Sequence, residues 1–210
     1  MDKLLNEVEV RVLGCLIEKE ITTPEYYPLS LNALTNACNQ TSNRYPVVHF
    51  EEENVARAID TLRQKQFVHV VHRDDARVVK YRHVIADKLG LDPIQIVVMG
   101  VLMLRAAQTV GEIRTRSNRM HDFENLEQVE AVLNSLMTRE AAPLVMRLPR
   151  QTGQKEVRYA HLLSGEVGLE QPAIQTAEDR IARLEETTEQ LKREVEDLRG
   201  QLEQFKKQFE

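Results

Sequence analysis

The residues with catalytic potential are few, and their spacing does not assemble a reactive centre. Glu51, Glu52 and Glu53 form a run of carboxylates. Acidic residues at a helix N-terminus are favoured by the helix dipole and ordinarily face water. His69 and His72 are three residues apart on a predicted strand, so their side chains point to opposite faces and cannot share one ion. The sequence therefore predicts no metal and no cofactor.

A tyrosine and a histidine two residues apart occur twice, as Tyr81 with His83 and as Tyr159 with His161. Residues two apart on a strand share a face, so each pair resembles a catalytic dyad. Because the pair recurs in two similar segments, packing on an inner strand face is the favoured interpretation. No Gly-rich phosphate loop, HExxH, CxxC or GxSxG motif occurs. The sequence predicts a protein that is not an enzyme.

The two cysteines, Cys15 and Cys38, lack the spacing of a metal site. Cys15 lies in an apolar run, which is typical of a small buried side chain in a reducing compartment. No signal peptide opens the chain, and no apolar stretch reaches the roughly 18 residues of a membrane span. We therefore expect a soluble, cytoplasmic protein that does not associate with membranes.

Basic side chains are the first candidates for contact with a partner. Lys and Arg neutralise the phosphates of nucleic acids, although ordinary solvated surface charge is the alternative. The candidates for contact with duplex DNA are Arg114, Arg116, Arg119, Arg147, Arg150, Lys155, Arg158, Arg73, Arg77 and Lys80. The formal net charge of −5 shows no bulk basic excess, which argues against strong nonspecific binding.

A polar segment before the predicted third helix is the second candidate surface. Its side chains can donate hydrogen bonds to a phosphate, a base or a peptide, or they can satisfy their own backbone. The candidate interaction loop, together with two tyrosines from an earlier insertion, comprises Asn39, Gln40, Ser42, Asn43, Arg44, Tyr26 and Tyr27.

These residues lie on a sequence that is repeated. The matched blocks are 6–16 with 92–102, 54–62 with 128–136, and 79–83 with 157–161. Three matched blocks in one order indicate two copies of one small domain. Gly14 and Gly100 hold the same matched position inside a predicted helix, where glycine costs about 0.5–1 kcal/mol relative to alanine. A neighbouring element is therefore expected to pack closely against both.

Each copy predicts three helices followed by a two-stranded hairpin. The first helices begin at the capping residues Asn6 and Asp92. The later predicted helices are 31–38 and 51–65 in copy one, and 110–119 and 126–139 in copy two. The predicted strands are 67–72, 78–83, 144–148 and 156–161. Three helices and a hairpin are typical of the winged helix-turn-helix. The predicted fold class is mainly α with small β-hairpins (α+β), with tandem winged-helix domains at 1–86 and 87–166.

The C-terminal segment predicts a linker at 167–172 and a coiled-coil helix at 173–210. Apolar residues alternate there by three and four, with β-branched residues at several a positions and leucine at d, which favours a parallel two-stranded coil. The predicted dimer contacts are Ile181, Leu184, Leu191, Val195, Leu198 and Leu202. A homodimer is the favoured reading, and a single amphipathic helix folded back on the domains is the alternative.

The predicted third helices are acidic, although in a DNA-reading winged helix this element enters the major groove. Glu124, Glu127 and Glu130 lie in or beside the one in copy two, and phosphates would repel them. Two function classes stay open. One is a regulator-like, DNA-binding dimer, slightly favoured by analogy with the fold. The other is a protein-interaction scaffold that resembles the tandem winged-helix subunits of chromosome-segregation complexes.

Two segments resemble the opening of the bacterial YceH proteins. They read Arg-Val-Leu-Gly-Cys-Leu-Ile-Glu-Lys at 11–19 and Thr-Thr-Pro-Glu-Tyr-Tyr-Pro-Leu-Ser at 22–30. Residues 104–112 and 157–162 match the same family, and the resemblance covers about residues 4–166. It implies a tandem winged-helix fold. No activity or catalytic residue is assigned in that family, so the resemblance implies no site residues.

Overall fold

The computed structural model describes residues 5–71, 78–150 and 156–165 of the 210-residue chain. Its helices are α1 (Glu7–Thr22), α2 (Leu31–Cys38), α3 (Glu52–Gln64), α4 (Ile85–Leu89), α5 (Pro93–Arg105), α6 (Val110–Ser117) and α7 (Leu126–Met137). Its strands are β1 (Leu29–Ser30), β2 (Val68–Val71), β3 (Lys80–His83), β4 (Val145–Arg147) and β5 (Tyr159–His161). Residues 1–166 form one compact unit.

The first helix of each copy begins at its predicted cap. Asn6 Oδ1 accepts a hydrogen bond from the Glu9 backbone at 2.9 Å, and Glu9 Oε2 accepts one from the Asn6 backbone at 2.9 Å. Asp92 and Gln95 form the same reciprocal box before α5. Each box satisfies backbone N–H groups that the helix itself leaves unpaired.

The strands form two small antiparallel sheets. In the first, the order is β1-β3-β2, and Tyr81 of β3 lies between Leu29 and Val70. In the second, β4 pairs with β5, and an isolated bridge joins Gln108 to Tyr159. Gln108 therefore holds in copy two the place that Leu29 holds in copy one. The predicted α+β class is confirmed.

Helices α1 and α5 pack against each other, and both matched glycines lie at their contact. A methyl group placed on Gly14 would lie 3.2 Å from Met103 Cβ and 3.0 Å from Leu104 Cδ2. One placed on Gly100 would lie 2.8 Å from Ile17 Cγ2. The close contact predicted from the repeat is confirmed, and the neighbouring element is in each case the other copy's first helix.

Several elements differ from the prediction. The helices predicted at 110–119 and 126–139 both end two residues earlier, and all four strands are shorter than predicted. Strand β1, helix α4 and a 3₁₀ turn at Pro24–Tyr26 were not predicted. These three elements are two to five residues long, so they are too short to show a hydrophobic period.

The predicted linker 167–172 and coiled-coil helix 173–210 lie outside the described residues. Within the part of the chain that the structure describes, no helix combines the length and the apolar character needed to cross a bilayer.

Candidate functional site

The polar loop between α2 and α3 is closed by one asparagine. The Asn39 Nδ2 group donates to the Phe50 carbonyl oxygen at 2.8 Å, and Asn39 Oδ1 accepts from the Phe50 backbone N–H at 2.8 Å. A single side chain thus holds both ends of an eleven-residue span together. The polar character of Asn39 is used by the fold itself.

Arg44 of this loop is buried, with 5% of its surface exposed. Its Nη2 donates to Glu18 Oε2 at 2.6 Å and to Gln40 Oε1 at 3.1 Å. Its Nε donates to the Ala37 carbonyl oxygen at 3.1 Å, and its Nη1 donates to that of Asn43. All three guanidinium nitrogens are therefore occupied inside the protein.

The same loop ties α1 to the end of α5. Arg11 Nη1 donates to the Cys38 carbonyl oxygen at 3.1 Å, and its Nη2 donates to that of Pro46 at 2.6 Å. On the α5 side, Asn43 Oδ1 accepts from Arg105. The Tyr45 backbone N–H donates to the Leu104 carbonyl oxygen at 2.9 Å. Of the candidate loop residues, Ser42 is exposed at the surface.

The two inserted tyrosines have different environments. Tyr26 is 70% exposed, whereas the Tyr27 hydroxyl accepts a hydrogen bond from the His83 backbone N–H at 2.8 Å. Burial, followed by the nearby Glu20 carboxylate, raises the pKa of Tyr27. Glu20 Oε2 also lies 2.7 Å from His83 Nε2. Tyr26 is therefore the one of this pair that is available to a partner.

The repeated Tyr–His pairs lie in or beside the core. His83 and Tyr159 are buried, and Tyr81 and His161 are partly buried. Burial lowers the pKa of His161 to about 4, so its ring is neutral at physiological pH. Its Nδ1 has no hydrogen-bond partner among the described residues. These positions favour the packing interpretation.

Three of the predicted DNA-contacting arginines bind other parts of the protein. Arg114 donates to the Phe123 and Glu124 carbonyl oxygens at 3.0 and 2.9 Å, which fastens the α6–α7 connection. Arg116 and Arg158 both pair with Glu112, at 3.3 and 2.7 Å. Contact with a phosphate would compete with these internal bonds.

The other basic candidates differ in position. Arg119, Arg147 and Arg150 are exposed, and within the described residues their side chains make no hydrogen bond or ion pair. Lys80 is partly buried on β3, opposite Val71. The candidates that lie outside the described residues are Arg73, Arg77, Lys155, Ile181, Leu184, Leu191, Val195, Leu198 and Leu202. Of the described members of the set, the structure brings Arg116 and Arg158 together around Glu112.

The described ranges contain no group of three His, Cys, Asp or Glu side chains that would hold a metal ion. They do contain a buried polar cluster that the sequence prediction missed, which consists of Arg11, Cys15, Glu18, Cys38 and Arg44. A signal for it exists in the repeat. The residues matched to Arg11, Cys15 and Glu18 are Val97, Val101 and Leu104, so one copy is apolar where the other is polar.

A family model for a "Protein of unknown function, DUF480" matches residues 5–154. The chain belongs to the DUF480 family. It is 55% identical to the UPF0502 protein of Pelobacter propionicus, with both chains fully covered. It is 53% identical to that of Geotalea uraniireducens over the full length of both chains, and 45% identical to that of Vibrio parahaemolyticus, with 95% of this chain and 96% of the relative covered. The resemblance to the YceH proteins is confirmed, and the DUF480 match covers copy one and most of copy two, ending before β5.

Proposed function

We propose that this protein is a non-enzymatic protein-interaction module, built of two tandem winged helix-turn-helix domains and acting as a homodimer. The order of elements supports the fold assignment. Copy one runs α1-β1-α2-α3-β2-β3, and copy two runs α5-α6-α7-β4-β5 with the Gln108–Tyr159 bridge in the place of β1. A short strand that pairs with the last strand, in addition to three helices and a hairpin, is the winged-helix arrangement.

The main support for a protein-interaction function is the acidic surface of α7. Glu127 and Glu130 are exposed, Leu126 is 44% exposed, and residues 126–137 contain no Lys or Arg. In a DNA-reading winged helix, the matching helix enters the major groove. A helix that presents carboxylates and an apolar residue, with no cation, suits a basic protein surface better than a phosphate backbone.

Helix α3 also offers no unpaired cation to a phosphate, because its arginines form ion pairs with acidic residues of the same helix. Arg57 Nη2 lies 3.4 Å from Glu53 Oε1, and Arg63 Nη1 lies 3.1 Å from Asp60 Oδ1. Both cations of this helix are therefore paired, and Glu52 adds a further negative charge. Arg114, Arg116 and Arg158 are likewise bound to other groups of the protein in copy two.

A pull-down with the full-length protein tests this function. We expect a partner from nuclease-treated bacterial extract to bind the wild type and to be lost when Glu127→Lys and Glu130→Lys are combined. The matched control combines Glu25→Lys with Asp87→Lys, which makes the same charge change at other exposed positions. The α7 interaction is refuted if the Glu127→Lys and Glu130→Lys variant captures the partner as well as the control variant does. It is also refuted if nuclease treatment of the extract abolishes capture by the wild type.

Duplex DNA is the second candidate partner, supported by the exposed Arg119, Arg147 and Arg150. Each phosphate contact contributes about −0.9 to the slope of log affinity against log salt concentration. Replacing Arg147 and Arg150 with alanine should therefore flatten the slope by about 1.8 and weaken all sequences alike. Arg57→Ala with Arg63→Ala is the control, because those cations are already paired. No binding to random duplex at about 50 mM salt would count against nonspecific affinity.

A further inference from the structure

The connection between α2 and α3 presents apolar side chains to solvent. It spans residues 39–51, whereas the matched connection between α6 and α7 spans residues 118–125. Tyr45 is 60% exposed and Val47 is 55% exposed, with the exposed Pro46 between them. Copy two builds the corresponding helices with the shorter connection, so the fold of the unit does not require this apolar segment.

The backbone of this segment is fixed by the residues around it. The Tyr45 N–H donates to the Leu104 carbonyl oxygen at 2.9 Å, and the Pro46 carbonyl oxygen accepts from Arg11 Nη2 at 2.6 Å. Arg44, the residue before Tyr45, is buried and donates hydrogen bonds from all three guanidinium nitrogens. Because successive residues are fixed, the loop loses little conformational freedom when a ligand binds the Tyr45 ring.

A cation without an acidic partner lies beside the segment. Arg105 follows Leu104 at the end of α5, and its Nη2 donates to Asn43 Oδ1. Among the described residues, no carboxylate forms an ion pair with Arg105. Its Nε and Nη1 make no hydrogen bond within those residues and are not buried. Two of the three guanidinium nitrogens can therefore donate to an incoming anion.

A second group of charges adds to this positive potential. Glu112 is shared by Arg116 and Arg158, at 3.3 and 2.7 Å, so the group keeps one positive charge. Gln108 joins this group to the end of α5, because its Oε1 accepts from Arg116 Nη1 at 2.9 Å and its Nε2 donates to the Ala106 carbonyl oxygen at 3.3 Å. The corner between α5 and α6 therefore favours an anionic ligand.

We propose that this corner is a stacking site for single-stranded nucleic acid, in which a base stacks on the Tyr45 ring and an adjoining phosphate is bound by Arg105. Every base has a π-face, so stacking on an aromatic ring tolerates many sequences. A base inside a duplex is already stacked between its neighbours and does not offer that face to Tyr45. The site is therefore distinct from the α7 surface and from the exposed arginines that are candidates for duplex DNA.

The combination of groups favours a nucleotide strand over a protein partner. A protein that docks on an apolar loop also covers the charges around it, so Arg105 would need a carboxylate from that protein. A nucleotide supplies a ring and a phosphate on one backbone, which match the exposed ring and the available cation. A strand is favoured over a free nucleotide because each further phosphate is attracted to the positive corner.

Fluorescence anisotropy with the full-length protein tests the proposal. The probe is a fluorescein-labelled oligothymidine of about ten nucleotides, which covers a typical single-strand site. We expect Tyr45→Ala to weaken binding at least about fivefold, because it removes the stacking surface for one base. Tyr45→Phe keeps the ring and should bind like the wild type. Tyr26→Ala is the matched control, since Tyr26 is 70% exposed and lies in a different connection.

Salt dependence tests the role of Arg105. Each phosphate contact with a single strand contributes about −0.7 to the slope of log affinity against log salt concentration. Arg105→Gln should therefore flatten the slope by about 0.7. Arg57→Gln, at an exposed arginine that is paired with Glu53, should leave the slope unchanged.

The proposal is overturned if the wild type does not bind oligothymidine at about 50 mM salt, or if Tyr45→Ala and Tyr26→Ala bind it equally well. It is also overturned if a duplex of the same length, or free thymidine monophosphate, competes as well as the unlabelled single strand. If Tyr45→Ala loses a protein partner from nuclease-treated extract but keeps its affinity for oligothymidine, the loop is a protein-binding surface and the proposal is wrong.

Discussion

Arg44 is the residue whose replacement should destabilise the loop most. Arg44→Gln would remove the 2.6 Å ion pair from the buried Glu18 and leave only the more distant Lys19 Nζ at 3.9 Å. Breaking a buried ion pair from one side typically costs about 3–5 kcal/mol. We expect a loss of about 3 kcal/mol in the free energy of unfolding by urea. Arg57→Gln removes a solvent-exposed pair with Glu53 and should cost less than about 1 kcal/mol. Equal losses in the two variants would contradict the importance of burial.

His161 should make the folded protein sensitive to acid. Its pKa of about 4 lies below the usual value of 6.5, so the unfolded chain binds the proton first as the pH falls. Its contribution to stability is therefore complete above about pH 6.5 and is lost as the pH falls towards 4, by up to about 1.4 kcal/mol per pH unit. In urea titrations, His161→Gln should flatten this part of the pH profile. His49→Gln, at an exposed histidine, should leave it unchanged.

At the residue scale, the sequence showed which segments are polar but not which of their side chains are buried. Arg44 was predicted to belong to a polar loop whose side chains either bind a partner or satisfy their own backbone. Its burial depends on Glu18, 26 residues earlier, and on a helix of the other copy through Asn43. A short stretch of sequence around Arg44 gives no indication of partners that are this distant in the chain. The comparison of the two copies was the one available signal, because Val97 and Leu104 stand where Arg11 and Glu18 do.

At the scale of elements, replacing glycine with alanine should destabilise the protein at the contact between α1 and α5 but stabilise it in α6. Gly14→Ala would place a methyl group 3.0 Å from Leu104 Cδ2, so it should lower the melting temperature, and Gly14→Leu should lower it further. Gly111→Ala in α6 meets its nearest atom only at 4.0 Å and should gain up to about 1 kcal/mol from helix propensity. If both alanine variants stabilise the protein, the close contact has no energetic consequence.

Elements with local signals were predicted well, and those that depend on distant partners were not. The start of α1 follows from Asn6 and Glu9, which interact within a single turn. Strand β1 has two residues and exists because it pairs with β3, about fifty residues later. No pattern within Leu29–Ser30 shows that pairing. The α+β class was therefore accessible from the sequence, while the third strand of the first sheet was not.

For the whole molecule, the central prediction is a dimer formed through the segment 173–210. Leu191→Lys, at a predicted d position, would place a charge in the apolar seam and should convert a dimer to a monomer. Light scattering of the full-length variant measures this directly. Gln190→Lys adds the same charge at an outward-facing position of the predicted heptad and should remain a dimer. A Leu191→Lys chain that stays dimeric would place the interface elsewhere.

Helices α1 and α5 pack on each other through equivalent surfaces of the two copies. Gly14 faces Met103 while Gly100 faces Ile17, and each of these two contacts is the other with the copies exchanged. An interface that presents one patch to itself is isologous, which is the geometry of a twofold-symmetric pair of subunits. Here both subunits belong to one polypeptide, so their association is intramolecular. Dilution, which dissociates an ordinary dimer, cannot separate them.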